Sequence, residues 1–335
     1  MATTTVATGD ASAKKLYEEQ TFRASVKETF WMGRLAGDGG FNSIMYMNNK
    51  LDGASGDRVS VDLVPRFSFA PIGEAGTVEN NEGSLDHHTF NLTLEEKNVA
   101  VRYKAKLDAK RPAWDLPKVH RERLQERGGE VIDEQLFDAL QADDPNKVFY
   151  GGSATSTATF VATDLITPKK LVQAKTWMET GGNRSQNAIR KVNVGGGRGV
   201  YVYGCHNDVY YDLWNDATIQ EALRDAASRG QDNPLFKEAD LVWNNIVVYA
   251  HENFDIFTDG GAGSNIAYAK GFMMGAGAMA WAWGQRPEIK EEMFDYGRQI
   301  GINFNYVSAA GRPEFGSQDY GVVGMYSART QVSDA

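Results

Sequence analysis

Residues 59–69 read VSVDLVPRFSF, and this segment constrains the architecture more than any other part of the chain. Apolar and polar side chains alternate along it, with Val64 as the one interruption, which is the period-two pattern of a strand with one buried face. An extended segment of this length reaches about 36 Å, the width of a small domain. Pro65 lacks a backbone donor and indicates an edge strand. The apolar face carries Val59, Val61, Leu63, Phe67 and Phe69.

A second alternating segment follows, and residues 57–106 together predict one long β-hairpin. Along the return arm, the apolar residues change from even-numbered to odd-numbered positions between Glu95 and Asn98. This change indicates a bulge or a bend. A two-stranded ribbon is marginally stable in water, so its apolar face needs a cover. Since no neighbouring segment predicts a covering sheet, we expect another copy of the chain to supply the cover. The predicted subunit contacts are Val61, Leu63, Phe67 and Phe69.

The composition is that of a large globular chain with an acidic balance. Its 335 residues are 42% hydrophobic and 24% charged, and the formal net charge is −9. This charge argues against a sequence-independent DNA-binding protein, which needs a basic surface to neutralise phosphates. Because Cys205 is the only cysteine, an intrachain disulfide and a cysteine-based metal cluster are excluded.

Two segments bear on targeting. Residues 1–15 lack the apolar core of a signal peptide. The most apolar stretch, residues 271–284, is about 14 residues long, whereas a membrane-spanning helix needs about 20. We therefore expect a chain that is made in the cytoplasm, has no membrane partner and stays soluble until it assembles.

Residues that typically begin or end helices, together with apolar patterns, predict helices and strands after the hairpin. Capping residues mark helix starts, such as Asp115 before the first helix and Thr167 before Pro168 in the second. A stretch rich in glycine, alanine, methionine and tryptophan, residues 265–283, is expected to be a buried helix. Because strands and helices come in blocks without a regular βαβ alternation, the fold class is α+β. The predicted helices are 115–141, 168–181, 216–229 and 265–283, and the predicted strands are 200–206, 245–249, 302–306 and 320–326.

The N-terminal region predicts an arm. Residues 1–13 are small and polar, and residues 14–33 predict a helix whose apolar side includes Leu16, Phe30 and Trp31. This helix either packs on the core of its own chain or docks on a neighbouring subunit. The long polar leader in front of it favours docking on a neighbour.

Several residue pairs suggest chemistry, but each fits a structural interpretation better. The glycine-rich segment 195–199 precedes a strand, whereas a phosphate-binding loop precedes a helix N-terminus. His87 and His88 are adjacent, so on a strand they point to opposite faces and do not readily share a metal ion. Cys205 and His206 diverge in the same way, and no second histidine close in sequence orients the first.

Five carboxylates could form an acid–base pair. No spacing singles out two of them, and chance pairs are expected among 44 acidic residues. The five are Asp208, Asp212, Asp216, Glu252 and Asp255. The sequence therefore predicts no catalytic residue, no cofactor and no metal site.

Charge is segregated along the segment that follows the hairpin. Residues 97–127 contain ten basic and four acidic residues, whereas residues 128–165 contain seven acidic residues and one lysine. A solvated surface accounts for this pattern. So does an interface in which the basic hairpin base of one subunit meets the acidic segment of the next. In the second interpretation Lys104 and Lys106 are the predicted contacts.

A resemblance to a known family rests on the order of the elements and on stretches that are spread over most of the chain. They are ENNE (79–82), YVYGCHNDVYYDL (201–213), NPLFKEADLVWNNIVVYAHENF (233–254), GFMMGAGAMAWAWG (271–284), DYGRQIGINFNY (295–306) and QDYGVVGMYSA (318–328). In these stretches the sequence resembles the major capsid (coat) proteins of tailed bacteriophages, which have the Hong Kong 97 fold. It is similar in particular to the coat-protein family of the phage N-four type. No single stretch is diagnostic, so the order and the spacing carry the resemblance.

Two positions depart from the family pattern. Lys237 stands where glycine is usual, and Arg312-Pro313 replaces a lysine-rich turn. Both departures put local loop contacts in question and leave the fold unaffected. We do not expect the covalent Lys–Asn crosslinks that some members of the fold form.

The resemblance implies an α+β, Hong Kong 97-like fold with named parts. The N-terminal arm is 1–35 and the hairpin, or E-loop, is 56–106. The P-domain takes 36–55 and 107–165 and contains the spine helix at about 115–141. The A-domain is 166–312, and a terminal strand within 313–335 returns to the core between the A- and P-domains.

The resemblance also implies a function. The chain is expected to self-assemble into hexamers and pentamers that form the icosahedral head shell around phage double-stranded DNA. It is expected to enclose the DNA without sequence-specific binding and to have no enzymatic activity. Implied partners are portal and scaffolding proteins, with room for minor cement proteins. The implied location is the virion, after assembly in the host cytoplasm.

Three other functions are compatible with parts of the sequence. An encapsulin-like nanocompartment shell has the same fold, but the long N-terminal arm and the virus-type stretches disfavour it. A soluble acidic hydrolase predicts a pocket with converging carboxylates and no self-assembly. An adhesin or fibre protein predicts secretion signals or repeats, and neither is found in the sequence.

Overall fold

The computed structural model describes most of the chain. The described residues are 30–38, 43–49, 51, 55–63, 71–73, 76–79, 82, 87–104, 108, 110–112, 115–184, 188–193, 199–227 and 241–331. Predictions for residues 1–29, for Phe67 and Phe69 and for Lys106 therefore lie outside the described residues.

Helices and strands alternate in blocks along the described part of the chain. The helices are α1 (Phe30–Arg34), α2 (Leu116–Gln141), α3 (Pro168–Arg184), α4 (Asn207–Trp214) and α5 (Ala217–Ala227). The first strands are β1 (Ala36–Asp38), β2 (Met45–Asn48), β3 (Arg58–Leu63), β4 (His88–Thr93), β5 (Glu95–Arg102), β6 (Val148–Tyr150), β7 (Val192–Asn193) and β8 (Gly199–Cys205). The remaining strands are β9 (Leu241–Trp243), β10 (Ile246–Ala250), β11 (Ile256–Gly260), β12 (Ile266–Met274), β13 (Met279–Phe294), β14 (Gln299–Gly311) and β15 (Val322–Ala328).

The strands form two large sheets and one ribbon. The five-stranded sheet has the order β1-β2-β13-β14-β5, and β3 and β4 form the two-stranded ribbon. The eight-stranded sheet runs β6-β15-β12-β8-β10-β9, with β11 paired to β12 and β7 paired to β8. Both large sheets mix parallel and antiparallel pairs, so the α+β class predicted from sequence is confirmed.

The main hydrophobic core lies against α2 and joins the two large sheets. Trp31 and Phe137 are buried in it with Trp281 of β13, and their rings are close, with 5.5 Å between the centroids of Trp31 and Phe137. Phe272 and Val322 of the eight-stranded sheet belong to the same core. The two sheets therefore share one continuous apolar interior.

A second core lies on the eight-stranded sheet beneath the other helices. Leu171 of α3, Leu213 of α4 and Ile219 of α5 are buried against strand residues such as Tyr203 and Val248. These helices bury one apolar stripe each, which is the arrangement expected of amphipathic helices on a sheet.

Helix α2 confirms the long helix predicted from sequence. Its N-cap is Asp115, whose carboxylate accepts a hydrogen bond from the Lys118 amide at 3.4 Å. Gly128 faces β14 so closely that a Cβ at this position would collide with the Phe304 ring. The glycine that weakens helix propensity in the middle of α2 is therefore what lets the sheet approach the helix.

The predicted hairpin is correct for its first pair of strands and differs after that. β3 and β4 pair antiparallel, with Val61 opposite Phe90, and the Leu94 amide donates to the Asp57 carbonyl at 2.9 Å. The chain then leaves the ribbon, because β5 pairs with β14 of the five-stranded sheet. The change from even-numbered to odd-numbered apolar positions in the return arm is therefore a change of sheet at Leu94.

The buried helix predicted at residues 265–283 is wrong. The segment forms β12 and the start of β13, which pair with β15 and β14. Both faces of these strands are buried, so their apolar residues do not alternate, and such a run cannot be distinguished from a buried helix by its period. Gly271 allows close packing here, because a Cβ at this position would lie 2.8 Å from the Tyr203 hydroxyl oxygen.

The end of the predicted arm helix packs on its own chain. The Phe30 and Trp31 amides donate to the Asp133 carboxylate at 2.7 and 3.3 Å, and both rings enter the main core. For these two residues the expected contact with a neighbouring subunit is wrong.

One predicted helix end also differs from the structure. Helix α3 begins at Pro168 as predicted but continues to Arg184, although Gly181 has a φ of +62°. The range predicted as the A-domain, 166–312, contributes to two sheets, because β13 and β14 lie with β2 and β5. The division into domains stays a prediction.

Candidate subunit-contact surfaces

The base of the hairpin is covered by its own chain. Val59 and Val61 are 6% and 7% exposed. Val59 packs with Leu92 against alanines of β13 and β14, including Ala280 and Ala309. The expectation that a second copy covers the hairpin is therefore wrong for Val59 and Val61. The cover is a stripe of small residues on the five-stranded sheet. The sequence contains these alanines, but it does not reveal that they lie beside the hairpin.

The opposite face of the ribbon is polar and exposed. Ser60 donates a hydrogen bond to the Asn91 side chain at 2.7 Å, and Thr89 donates to Asp62 at 2.8 Å. Cross-strand pairs of this kind hold an antiparallel ribbon in register. Leu63 ends β3, paired with His88.

A set of exposed lysines lies where β5 ends and α2 begins. Lys104, Lys110 and Lys118 are exposed. Within the described residues, no ion pair engages the side chain of any of the three. We call these three lysines the basic end. Of the two lysines predicted as contacts, Lys104 belongs to it.

A groove of about 320 Å³ lies between the last third of α2 and the adjoining strands. Its lining includes Glu95 and Lys97 of β5, which form an ion pair at 2.8 Å, and Glu134 and Asp138 of α2. We call these four residues the acidic groove. Asp138 is exposed and has no ion pair within the described part of the chain. The structure thus places exposed Lys118 near the start of α2 and exposed Asp138 near its end.

Arg312 holds the C-terminal end of α2. Its guanidinium donates to the carbonyl oxygens of Leu140 and Asp143 at 3.2 and 2.6 Å. It also forms an ion pair with Asp319, in which the Nε and Oδ1 atoms are 2.8 Å apart. Burial raises the pKa of Asp319. At this position, which departs from the family pattern, Arg312 therefore binds carbonyl groups at the end of α2 from outside the helix, a contact that sequence reasoning missed.

Two of the five candidate carboxylates come together, and they fasten the end of the chain. Asp208 forms an ion pair with the buried Arg329, and Asp212 accepts a hydrogen bond from the Thr330 amide at 2.8 Å. Burial raises the pKa of Asp212 and lowers that of His206, which lies beside Asp208. Each carboxylate is occupied by a structural partner, so the cluster anchors β15 to α4.

The other sequence candidates are separate from one another. Asp216 accepts a hydrogen bond from the Thr218 amide at 2.8 Å at the start of α5. Cys205 is buried, whereas His87 is exposed. Within the described residues no three metal-ligating side chains are grouped, and no helix there is long and apolar enough to span a membrane.

Comparison with known proteins identifies the family. A family described as phage capsid protein matches residues 5–137 and 127–330, nearly the whole chain. The chain belongs to the phage capsid protein family. As a capsid protein it is a structural component of the virion. No curated protein matches it by sequence.

Solved capsid structures share the fold of this capsid protein. The capsid of Ralstonia phage GP4 is 25% identical with a TM-score of 0.82, and the alignment covers 100% of both chains. The cyanophage Pam1 capsid is 20% identical, also with a TM-score of 0.82, over 99% of this chain and 100% of that one. The capsid of Helicobacter pylori bacteriophage KHP30 is 16% identical with a TM-score of 0.68, over 87% and 90% of the two chains. The Hong Kong 97-like fold implied by the sequence is confirmed.

Proposed function

We propose that the chain is the major capsid protein of a tailed phage and forms hexamers and pentamers that close into an icosahedral head around double-stranded DNA. The observation that carries the proposal is the match to the Ralstonia phage GP4 capsid, in which the alignment covers 100% of both chains. A net charge of −9 suits a container that holds DNA without binding it tightly.

The proposal includes partners and a place of assembly. Portal and scaffolding proteins are the expected partners, with minor cement proteins as further ones, and assembly takes place in the host cytoplasm before the virion is released. The chain acts as a structural protein without catalysis. The division of roles among N-terminal arm, E-loop, spine helix, P-domain and A-domain follows the boundaries given from sequence.

The subunit contacts belong to the same proposal. The part of the hairpin beyond the buried Val61 reaches a neighbouring copy through Leu63, Phe67 and Phe69. Lys104 and Lys106 contact the acidic segment of a neighbour. The support for these contacts is the alternating pattern of residues 59–69 and the exposure of Lys104.

Negative-stain electron microscopy of the purified chain, together with light scattering after size exclusion, tests the proposal. Closed shells, or rings of five or six subunits, are the expected result. A chain that stays monomeric or dimeric, with or without a scaffolding protein from a related phage, would contradict it.

A further inference from the structure

We propose that the two ends of helix α2 form a contact between neighbouring copies. The basic end of one copy, Lys104, Lys110 and Lys118, docks at the acidic groove of the next, formed by Glu95, Lys97, Glu134 and Asp138. This inference rests on the proposed ring assembly and names the surfaces that join its members.

Two charged side chains of α2, Lys118 and Asp138, oppose the helix dipole, although Asp115 caps the start of the helix and Arg312 binds carbonyl groups at its end. A helix favours acidic residues in its first turn and basic residues in its last. Helix α2 has no acidic residue in its first turn and no basic residue in its last. Lys118 lies near its start and Asp138 near its end. Charges in these positions destabilise the helix itself and are stabilised when opposite charges approach from outside.

Charges in the middle of α2 are satisfied within the chain, whereas those at its ends are not. Arg121 pairs with Glu291 of β13. Arg123 pairs with Glu126 at 2.6 Å, and Arg127 pairs with Glu134 at 2.7 Å. By contrast, no ion pair engages Lys118 or Asp138 within the described residues. Lys118 and Asp138 each lie on one of the two surfaces that the proposal joins.

The acidic groove suits a lysine side chain. It carries three carboxylates and one lysine, and Glu95 holds that lysine, Lys97. Val131 and Ala139 of α2 also line the groove and offer an apolar wall for the stem of a long cationic side chain. The head group would lie beside Asp138, which forms no ion pair among the described residues.

One copy cannot close this contact by itself, because the 26 residues of α2 separate its ends by about 39 Å. In a ring, each subunit meets its neighbours through two different patches, so every copy can offer its basic end on one side and its acidic groove on the other. The occupant of the groove is therefore a second copy of the chain.

Charge reversal tests the contact. Lys118→Glu and Asp138→Lys each place like charges across every interface, so each variant alone is expected to form rings and shells with a yield at least about tenfold lower at low ionic strength.

A one-to-one mixture of the two variants restores opposite charges across the contact. When the variants alternate around a ring, one interface joins the two substituted positions and the next joins the native Lys118 to the native Asp138. Both interfaces then pair a cation with an anion, so the mixture is expected to recover hexamers. Pentamers stay impaired, because an odd ring cannot alternate.

Matched controls are available on other helices. Lys169 also follows a proline at the start of a helix and is exposed, so Lys169→Glu is the control for Lys118→Glu. Exposed Glu221 of α5 gives Glu221→Lys as the control for Asp138→Lys. Both controls are expected to assemble like the parent. Circular dichroism and thermal unfolding verify that all four variants fold.

The outcomes separate the contact from the function. If the parent forms shells and both charge-reversed variants do so equally well, the contact is overturned while the proposed function stands. Unchanged shells of Lys118→Glu with a lower DNA content would also overturn it, because the basic end would then face nucleic acid. If the parent forms no rings, native mass spectrometry of the mixed variants at low salt still decides, since preferential pairing of unlike variants supports the contact and random pairing overturns it.

Discussion

Buried polar groups fix the middle and the C-terminal end of α2 to the rest of the chain. Near its middle, Asp133 accepts hydrogen bonds from the Phe30 and Trp31 amides and so orients α1. At its C-terminus, Arg312 binds the last carbonyl groups and Asp319. Because buried polar groups are costly when they lose a partner, single substitutions here have large expected effects.

Replacement of Asp133 tests the first of these contacts. Asp133→Ala leaves two amides without an acceptor and should lower the free energy of unfolding by about 1–3 kcal/mol. Asp133→Asn retains one oxygen and should cost less. Urea unfolding at pH 7 measures both. Equal stability of parent and Asp133→Ala would contradict the contact.

The same residue predicts a pH dependence. Burial raises the pKa of Asp133 in the folded state, whereas the unfolded value is about 3.9. The folded state thus binds the proton of Asp133 more tightly than the unfolded state does. The contribution of Asp133 to the free energy of unfolding therefore falls as the pH rises from the pKa in the unfolded state through the pKa in the folded state. The parent should lose stability relative to Asp133→Asn over that window. Parallel stability curves for the two proteins from pH 4 to pH 7 would contradict the shift.

Arg312→Met tests the second contact. It leaves Asp319 buried without its cation and removes the donor to two carbonyl groups, so a loss of about 3–5 kcal/mol is expected. Arg298→Met is the matched control, because Arg298 pairs with Asp295 on the surface. Loss of an exposed ion pair lowers the free energy of unfolding by about 1 kcal/mol or less. Urea unfolding compares them, and similar losses in both variants would rule out a special role for Arg312.

At the scale of elements, the hairpin has a base that the chain itself covers and a continuation that the proposal assigns to assembly. Its base, at Val59 and Leu92, is packed on alanines of the five-stranded sheet. The apolar residues Phe67 and Phe69 of the predicted strand are the proposed subunit contacts. Under this proposal, one end of the predicted strand 59–69 contributes to folding and the other end to assembly.

Paired substitutions separate the two roles. Val59→Asp buries a charge in the chain's own core and should unfold or strongly destabilise the monomer. Phe67→Asp should leave the monomer folded and abolish shells. Thermal unfolding and electron microscopy of both variants measure this. Normal shells from Phe67→Asp would refute the assembly role of this part of the hairpin.

The sequence predicted those elements whose signals are local. Asp115 and Pro168 mark helix starts through their own chemistry, and β3 alternates because one face is polar. Residues 265–283 were misassigned because their environment, buried on both sides, comes from strands far away in sequence. The cover of Val59 was missed for the same reason, since Ala280 and Ala309 approach it only through the fold.

At the scale of the whole molecule, the main core unites the two large sheets. Trp281 of the five-stranded sheet and Phe272 of the eight-stranded sheet belong to it together with Phe137 of α2. A core that spans both sheets couples their stability, because neither sheet can lose its cover alone.

Unfolding of the monomer should therefore be a single transition. Tryptophan fluorescence reports on Trp31, Trp281 and Trp283 in the main core and on Trp177 and Trp243 beside the second, whereas far-ultraviolet circular dichroism reports on all elements. The two probes should give the same urea midpoint. Separate midpoints would mean that the sheets unfold independently.

The change of sheet at Leu94 has a consequence for which insertions the chain tolerates. The residues before Leu94 are in phase with the ribbon and those after it with β14. Adding one residue there would turn every side chain of one strand to the wrong face. At Val78, which is 62% exposed, added residues meet no such constraint. A foreign peptide displayed on this protein would therefore be accommodated at Val78 and would prevent folding at Leu94.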